Sequence, residues 1–253
     1  MNYKVLYSAG SGVARITLNR PDKRNALDEE LIAGIRQALV QSAQDESVRI
    51  VLVTGAGGDF CAGADLAALQ HTQDAGVIDN LADARRLADL FLEMRHHPRP
   101  IVALVRGRAL AGGCGIATAA DIVLAAESAQ FGYPETKIGF VPAMVMVILR
   151  RSVTEHRAFE LLATGETISA RTALEIGLIN RVYADDTFEA DAEAYVTQLA
   201  ARSSSALALT KSLLYQIDRM PFEAALSAGV QTNTLARLTD DYRRGIEQFL
   251  KRS

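Results

Sequence analysis

Apolar and polar residues follow two different periods in the first half of the chain. In GVARITLN, residues 12–19, every second residue is apolar, which is the period of a half-buried strand. Continuous apolar runs, typical of parallel strands covered on both faces, occur in RIVLVTG (49–55), PIVALVRG (100–107) and DIVLAA (121–126). Helical patterns separate these runs, at residues 27–39, 81–95 and 112–120. Strands that alternate with helices predict βαβ units and a mostly parallel sheet.

The first of these helices has an apolar stripe and a clear start. The stripe consists of Leu27, Leu31, Ile35 and Leu39. Asn25 is the expected N-cap, because its short side chain can accept a hydrogen bond from the first turn. Acidic residues at positions 28–30 complement the positive end of the helix dipole.

Helical patterns dominate the second half of the chain, at residues 154–163, 170–176, 187–202, 207–216 and 222–238. We expect Ser169 to cap the second of these helices and Gly177 to follow its C-terminus. GLINRVY, residues 177–183, indicates one short strand. The predicted organisation is an α/β core over residues 1–185, followed by a helical region over residues 186–253.

Composition and charge limit the class of protein. The 253-residue chain has a net charge of −3 and a pI near 5.9, which argues against a general nucleic-acid binder. No secretory signal is apparent in MNYKVLYSAGSG, and the longest nearly apolar run, residues 138–149, is too short to cross a bilayer. The two cysteines, Cys61 and Cys114, lack CxxC spacing, which favours a reducing, cytoplasmic location.

Two glycine-rich segments directly follow buried strands, TGAGGDFCAGADL at 54–66 and RGRALAGGCGI at 106–116. Neither has the GxGxxG pattern of dinucleotide-binding folds or the GxxxxGK[ST] pattern of phosphate loops. The glycines could simply serve turns that need a positive φ. Alternatively, loops at the carboxyl ends of parallel strands converge, so each loop could donate one N–H to an oxygen that becomes negative during a reaction. Such an oxyanion hole suits thioester chemistry.

Five segments occur in one order along most of the chain: ITLNRPDKRNAL, GDFCAGADL, GRALAGGCG, AADIVLAAESAQFGYPETKIGFVPA and SARTALEIGLINRVY. Together they resemble the signature blocks of the crotonase superfamily, also called the enoyl-CoA hydratase/isomerase family. The resemblance implies an α/β fold with a crotonase-like ββα-spiral core and a helical C-terminal region that forms trimers or pairs of trimers. It also implies acyl-CoA thioester substrates, and it places Ala64 and Gly112 at the two oxyanion-hole N–H donors.

The same resemblance gives Glu135, in FGYPETKIGF, the role of catalytic acid and base. Its apolar neighbours predict a raised pKa, which would suit proton transfer near neutral pH. Family hydratases usually carry a second glutamate in the block that reads AGGCG here, so Gly115 replaces it. The next segment, PAMVMVILRR, brings apolar bulk through Ala143, Met144 and Met146. Both departures make the site less suited to a bound water.

The expected activity is therefore proton transfer by a single glutamate on an enoyl-CoA, with Δ3,Δ2-isomerisation favoured. Monofunctional isomerases of the family likewise retain only this carboxylate. Hydration of an enoyl-CoA, or dehydration of a 3-hydroxyacyl-CoA, stays open and would require Glu135 to handle water alone or with help from Tyr133. A non-catalytic CoA-binding relative also stays open. An RNA-binding branch of the family uses a lysine-rich first helix, whereas the first helix here is acidic and lacks lysine.

The resemblance also indicates which residues would hold the CoA. Lys23 and Arg24 lie where cations would meet the pantetheine and the nucleotide, and phosphate groups favour such cations. Further contacts are expected from Ala26, Ala62, Asp65, Leu66, Gly113 and Tyr133. Phe249, with either Lys251 or Arg252, would reach the CoA of a neighbouring subunit. No metal and no cofactor beyond the CoA of the substrate are expected, and neither a nucleic acid nor a membrane is an expected partner.

Overall fold

Two sheets form the centre of the molecule. The computed structural model describes residues 3–65, 67, 69–70, 73 and 75–251. Its strands are β1 Val5–Gly10, β2 Val13–Leu18, β3 Ile50–Gly55, β4 Ile101–Val105, β5 Arg108–Leu110, β6 Ile122–Ala126, β7 Gln130–Gly132, β8 Thr167–Ser169 and β9 Arg181–Tyr183. The larger sheet has the order β1-β2-β3-β4-β6-β9, and the smaller sheet has the order β5-β7-β8.

Helices connect the strands and make up most of the C-terminal region. They are α1 Glu29–Gln44, α2 Val77–His96, α3 Gly112–Ala119, α4 Ala143–Ser152, α5 Glu155–Thr164, α6 Ala170–Glu175, α7 Phe188–Ala200, α8 Ser204–Gln216, α9 Phe222–Arg237 and α10 Asp240–Leu250. Short 3-10 segments span Pro21–Lys23, Pro134–Ile138 and Ile217–Arg219. Among the helices described, none has the length and apolar character needed to span a membrane.

The larger sheet is parallel apart from its first pair. β1 and β2 are antiparallel, and every other neighbouring pair in this sheet is parallel. Alternate residues of β3 face two separate cores, with Val51 and Val53 on one side and Ile50 and Leu52 on the other. The continuous apolar runs of the sequence are therefore strands buried on both faces, as predicted.

Helix α7 covers one face of this sheet. Its buried residues recur every fourth position and pack on the inner strands; they are Phe188, Ala192, Val196 and Ala200. The first helix beyond residue 185 thus packs on the sheet of the α/β core. The division of the chain at residue 185 stays a prediction.

A strand–strand–helix unit repeats along the chain. β4 enters the larger sheet, β5 enters the smaller sheet and α3 follows; β6, β7 and α4 repeat the same order. The segment after β3 joins this pattern through an isolated parallel bridge between Cys61 and Ala109. The ββα-spiral core predicted from the sequence is confirmed. The second strands of the two repeats, β5 and β7, pair in parallel, so the segments that follow them lie close together.

Helix caps agree with the sequence at one predicted site and differ at another. The Ser169 side chain accepts from Thr172 N at the start of α6, and Gly177 follows that helix with a φ of 80°. The N-cap predicted at Asn25 is wrong. Asp28 caps α1 instead, since its Oδ1 accepts from Leu31 N at 2.8 Å.

Candidate active site

The two glycine-rich loops run side by side in parallel. The bridge between Cys61 and Ala109 is held by backbone hydrogen bonds of 2.9 Å. Just before Ala64, a Cβ built on Gly63 would lie 2.9 Å from the Cβ of Ala111, the residue that precedes Gly112. The loops are in close contact, because a Cβ built on Gly63 would lie 3.1 Å from a carbonyl oxygen of the second loop. The two loops therefore converge, as the parallel sheet predicts.

A buried amide side chain fixes the first loop against the segment before α1. Asn25 is fully buried and has a φ of 54°. Its Oδ1 accepts from Arg20 N at 2.8 Å, and its Nδ2 donates to Ala56 O at 2.9 Å and to Asp59 O at 2.8 Å. Both donors and the acceptor of the amide are thus used to hold the loop.

The two predicted oxyanion-hole donors, Ala64 and Gly112, belong to these two neighbouring loops. Ala64 is exposed, and Gly112 is the half-buried first residue of α3, at the positive end of the helix dipole. Ala111, just before it, has a φ of 50°, which is unfavourable for a residue with a Cβ. Within the described ranges, the backbone hydrogen bonds that hold these loops do not use the N–H of Ala64 or of Gly112. Their role as donors to a substrate oxygen stays a prediction.

Glu135 lies beside these loops in the 3-10 segment Pro134–Ile138. This segment follows β7, whose last residue, Gly132, accepts a 2.8 Å hydrogen bond from Ala111 N. The Glu135 Oε2 atom is buried and has no hydrogen-bond partner among the described residues. Burial raises the pKa of this carboxyl above its usual 4.5, against the smaller opposing effect of its own backbone N–H. These features are typical of a group that transfers protons.

Gly115 occupies a position with no room for a side chain. A Cβ built there would lie 2.5 Å from Val145 Cγ1 and 2.8 Å from Phe91 Cζ. Val145 comes from α4 and Phe91 from α2, and both are buried. Any larger residue at position 115 would have to displace these two neighbours. The space beside Gly115 is therefore filled by apolar side chains.

Gly113 permits the close approach of the two loops. A Cβ built on it would lie 2.5 Å from Cys61 O and 2.6 Å from Cys61 Sγ. Cys61 and Cys114 are free and fully buried, and burial raises the pKa of each thiol to about 12. Both thiols are therefore protonated near neutral pH and act as packing groups.

Tyr133 lies in the core beneath α3. Its side chain is fully buried, and its hydroxyl lies 3.5 Å from Thr118 Oγ1 and is hydrogen-bonded to the Cys114 thiol. Burial raises the pKa of this phenol well above 10. The hydroxyl considered above as an aid to a water molecule thus has partners in the core and exposes no surface. A direct contact between Tyr133 and the substrate stays a prediction, and the full burial of the Tyr133 side chain does not support it.

The basic pair before α1 lies next to the first glycine loop. Lys23 and Arg24 are exposed, and Arg24 O accepts from Ala62 N at 3.0 Å. Ala26 is nearly buried, and its carbonyl oxygen accepts from the Arg20 guanidinium. These residues form one continuous rim, and their contacts with CoA stay predictions.

The Asp65 carboxylate serves the loop itself. It accepts from Ala67 N at 2.9 Å and from Arg20 Nη2 at 2.7 Å, and these two partners lower its pKa. Its backbone N–H donates to Leu27 O at 2.9 Å. Leu66, also predicted to contact the substrate, lies outside the described residues.

The predicted C-terminal contacts lie in the helical layer. α10 packs against α8 and α9. Phe249 of α10 is mostly exposed, and so is Lys251, which follows the helix. Arg252 lies outside the described residues. The contact of this tail with a neighbour's CoA stays a prediction.

Sequence reasoning missed Phe91 and Val145. The apolar segment after Pro142 pointed to bulk near the site, but through Met144 and Met146 rather than through Val145. Phe91 is one apolar residue of a long amphipathic helix, and no local pattern distinguishes it from its neighbours. A search for metal ligands gives nothing either, since no cluster of three or more His, Cys, Asp or Glu occurs in the described ranges.

Comparison with known proteins identifies the family to which this arrangement belongs. The family model for enoyl-CoA hydratase/isomerase matches residues 8–253. The chain belongs to the enoyl-CoA hydratase/isomerase family. The Thermus thermophilus protein named "Putative enoyl-CoA hydratase" is 40% identical over 240 residues, which cover 95% of each chain.

Other relatives of this family member carry names of two reaction types. The 2,3-dehydroadipyl-CoA hydratase of Escherichia coli is 33% identical, covering 98% of this chain and 96% of its own. The 1,2-epoxyphenylacetyl-CoA isomerase of the same organism is 32% identical with the same coverage. A crystal structure of enoyl-CoA hydratase from Mycobacterium smegmatis superposes with a TM-score of 0.94 at 32% identity, covering 98% of this chain and 96% of its own.

These similarities show that the chain is an acyl-CoA enzyme of this family and has the crotonase fold. They do not separate hydration from isomerisation, because both kinds of name occur at nearly equal identity. The choice of reaction therefore depends on the residues of the site itself.

Proposed function

We propose that this enzyme is a Δ3,Δ2-enoyl-CoA isomerase in which Glu135 moves the proton. One observation carries the proposal. The site has a buried carboxylate oxygen without a partner at Glu135, while Phe91 and Val145 fill the space beside Gly115, where a second carboxylate would be needed. A reaction that uses one carboxylate and no added water fits this arrangement best.

The proposed chemistry moves one proton within the substrate. A Glu135 oxygen takes a proton from C2 of a 3-enoyl-CoA, and the released electron pair delocalises into a dienolate. The thioester oxygen becomes negative and accepts hydrogen bonds from Ala64 N–H and Gly112 N–H. Glu135 then returns the proton to C4, so the double bond moves from C3=C4 to C2=C3. No atom is gained or lost, and the reaction needs no cofactor beyond the CoA of the substrate.

The rim beside the first loop is the proposed CoA site. Lys23 and Arg24 supply two exposed cations for the phosphate groups. The Arg24–Ala62 hydrogen bond ties these cations to the loop that carries Ala64. Binding of the nucleotide would therefore position the thioester oxygen as well.

Hydration of a 2-enoyl-CoA, or the reverse dehydration, is the alternative. The names of the Thermus thermophilus and Escherichia coli relatives favour it. It would require Glu135 to activate water and supply a proton without a second carboxylate, and Tyr133 is fully buried. A non-catalytic CoA-binding protein is the remaining alternative.

Replacement of Glu135 by Gln tests whether the chain is a catalyst. We expect Glu135→Gln to lower kcat for a 3-enoyl-CoA by about 10²–10⁴-fold, because a positioned acid–base group contributes that much. CoA affinity should stay unchanged, as measured by calorimetry. The matched control is Glu175→Gln at an exposed position of α6, which should keep full activity. A wild-type protein that binds CoA but turns over neither enoyl isomer would contradict the proposal.

We also propose that the enzyme self-associates as a trimer or a pair of trimers. Three large apolar side chains on one face of α9 are more than half exposed, and they are Phe222, Leu226 and Val230. Contiguous exposed apolar surface of this kind marks a contact with another protein surface. Light scattering should give a mass of three or six chains, and a monomer of 27.3 kDa would contradict this.

A further inference from the structure

Phe91 lies between Gly115 and a cavity that has several polar side chains in its lining. One edge of its ring faces Gly115, with Phe91 Cζ 2.8 Å from the Cβ position there. Phe91 also lines a cavity of about 240 Å³. The polar side chains of this cavity are Arg95, Thr118, Asp121, Arg151, Ser152, Asn180 and Tyr215.

The cavity is suited to water. Arg95 lies over the Tyr215 ring at 4.1 Å, and Asp218 accepts from Arg95 at 3.0 Å and from Arg151 at 2.7 Å. Polar partners and a volume of this size give room for several water molecules. Arg151 and Asn180 are exposed, so the cavity is open to solvent.

The boundary between polar and apolar surroundings falls within one turn of α2. Phe91 and Arg95 are four residues apart and share a face of that helix. Arg95 takes part in the polar end of the cavity, while Phe91 forms its apolar end next to Gly115. Val145 of α4 closes the other side, 2.5 Å from the same Cβ position.

We propose that Phe91 is a barrier that keeps water in this cavity away from the acyl group, and so determines the reaction's specificity. The inference rests on the proposed isomerase function. Phe91 does not exchange protons itself; it is a positioning residue that keeps the site dry through its ring.

Two side reactions would follow if water passed Phe91. A proton held by Glu135 would exchange with solvent before it reached C4. Water could also add to the 2-enoyl product, its oxygen bonding to C3 while a proton is delivered to C2, which is hydration. Exclusion of water prevents both.

Isomerisation in D2O tests the barrier. We expect wild-type enzyme to return most of the abstracted proton to C4, so that the 2-enoyl product carries little deuterium there. Phe91→Ala should raise the C4 deuterium content at least about twofold and give detectable 3-hydroxyacyl-CoA, because the cavity then joins the site. Phe91→Leu, which keeps more of the core volume, should give a smaller rise in the same direction.

The matched control is Leu90→Ala, a fully buried neighbour on α2 that is not part of the cavity lining. It should weaken the core without changing the C4 deuterium content. The barrier proposal would be overturned if the C4 deuterium content were equal in wild type, Leu90→Ala and both Phe91 variants. It would also be overturned if the C4 position of the wild-type product already carried as much deuterium as full exchange with the solvent gives. Absence of isomerisation by folded wild-type enzyme would instead overturn the proposed function on which the barrier rests.

Discussion

Carboxylates near the site fall into two groups that differ in their partners. Asp59 accepts from Arg108 Nε and Nη2, both at 2.8 Å, and this pairing lowers its pKa. Asp65 is held in a similar way by Arg20. Within the described part of the chain, the one buried carboxylate oxygen without a partner is Oε2 of Glu135. Paired carboxylates hold the loops, whereas the unpaired one is left to gain and lose a proton.

The raised pKa of Glu135 predicts the pH dependence of the reaction. Burial favours the protonated carboxyl, so the base form needed for proton removal is reached only above the usual 4.5. The acid limb of kcat/KM for a 3-enoyl-CoA should therefore have an apparent pKa above 4.5, measured from the pH–rate profile. The same limb should persist in Glu175→Gln. A limb at or below 4.5 would contradict the buried state of this carboxyl.

Single residues of the site were predictable only where their local context is specific. Glu135 and Gly115 could be identified because each lies in a signature segment. The side chains that fill the space beside Gly115 could not be identified from the sequence. Phe91 and Val145 come from two helices, α2 and α4, that meet α3 only after folding. Asn25 was misassigned because a short polar side chain suits both a helix cap and a buried turn.

At the scale of elements, the site is two backbone segments held in one register. The Cys61–Ala109 bridge sets that register, and Gly113 lets the loops approach. Asn25 fixes the outer side of the first loop through three hydrogen bonds. The loop that carries Ala64 is therefore held at its start by a fully buried side chain.

Replacement of Asn25 by Ala should disturb both stability and turnover. It leaves two backbone carbonyls and one N–H without their partner, and each unsatisfied buried group costs about 1–3 kcal/mol. We expect a loss of about 3 kcal/mol or more in the free energy of unfolding, measured by urea denaturation. The folded fraction should also show a lower kcat. Gln41→Ala, at an exposed position of α1, is the control and should change stability by less than about 0.5 kcal/mol. An unaltered Asn25→Ala enzyme would contradict the role given to this amide.

Elements were predictable from local pattern in proportion to their length and burial. The inner strands β3, β4 and β6 appear as apolar runs, and helices α5 to α9 appear as periodic segments, whereas α4 and α10 were not predicted. The three-residue strands β5, β7 and β8 escaped prediction, because they exist through pairing with distant segments. These short strands are also the ones that bring Glu135 next to the second loop.

At the scale of the whole molecule, the repeated ββα unit brings together the loops that carry the proposed catalytic residues. Each repeat enters both sheets, so the segments after the second strands stack and converge. The fold could be predicted because several ordered segments resemble one family. The isomerase reaction favoured by the sequence stays a proposal, and its support is the packing between α2, α3 and α4 around one glycine.

The most direct test of the account compares two substrates on the same purified enzyme. The product of a short 3-enoyl-CoA and the product of crotonyl-CoA are followed by NMR, and kcat/KM is obtained for each. We predict isomerisation to exceed hydration by about 10²-fold or more, because a missing second acid–base group costs at least that factor. Hydration of crotonyl-CoA as fast as, or faster than, isomerisation of the 3-enoyl-CoA would contradict the account.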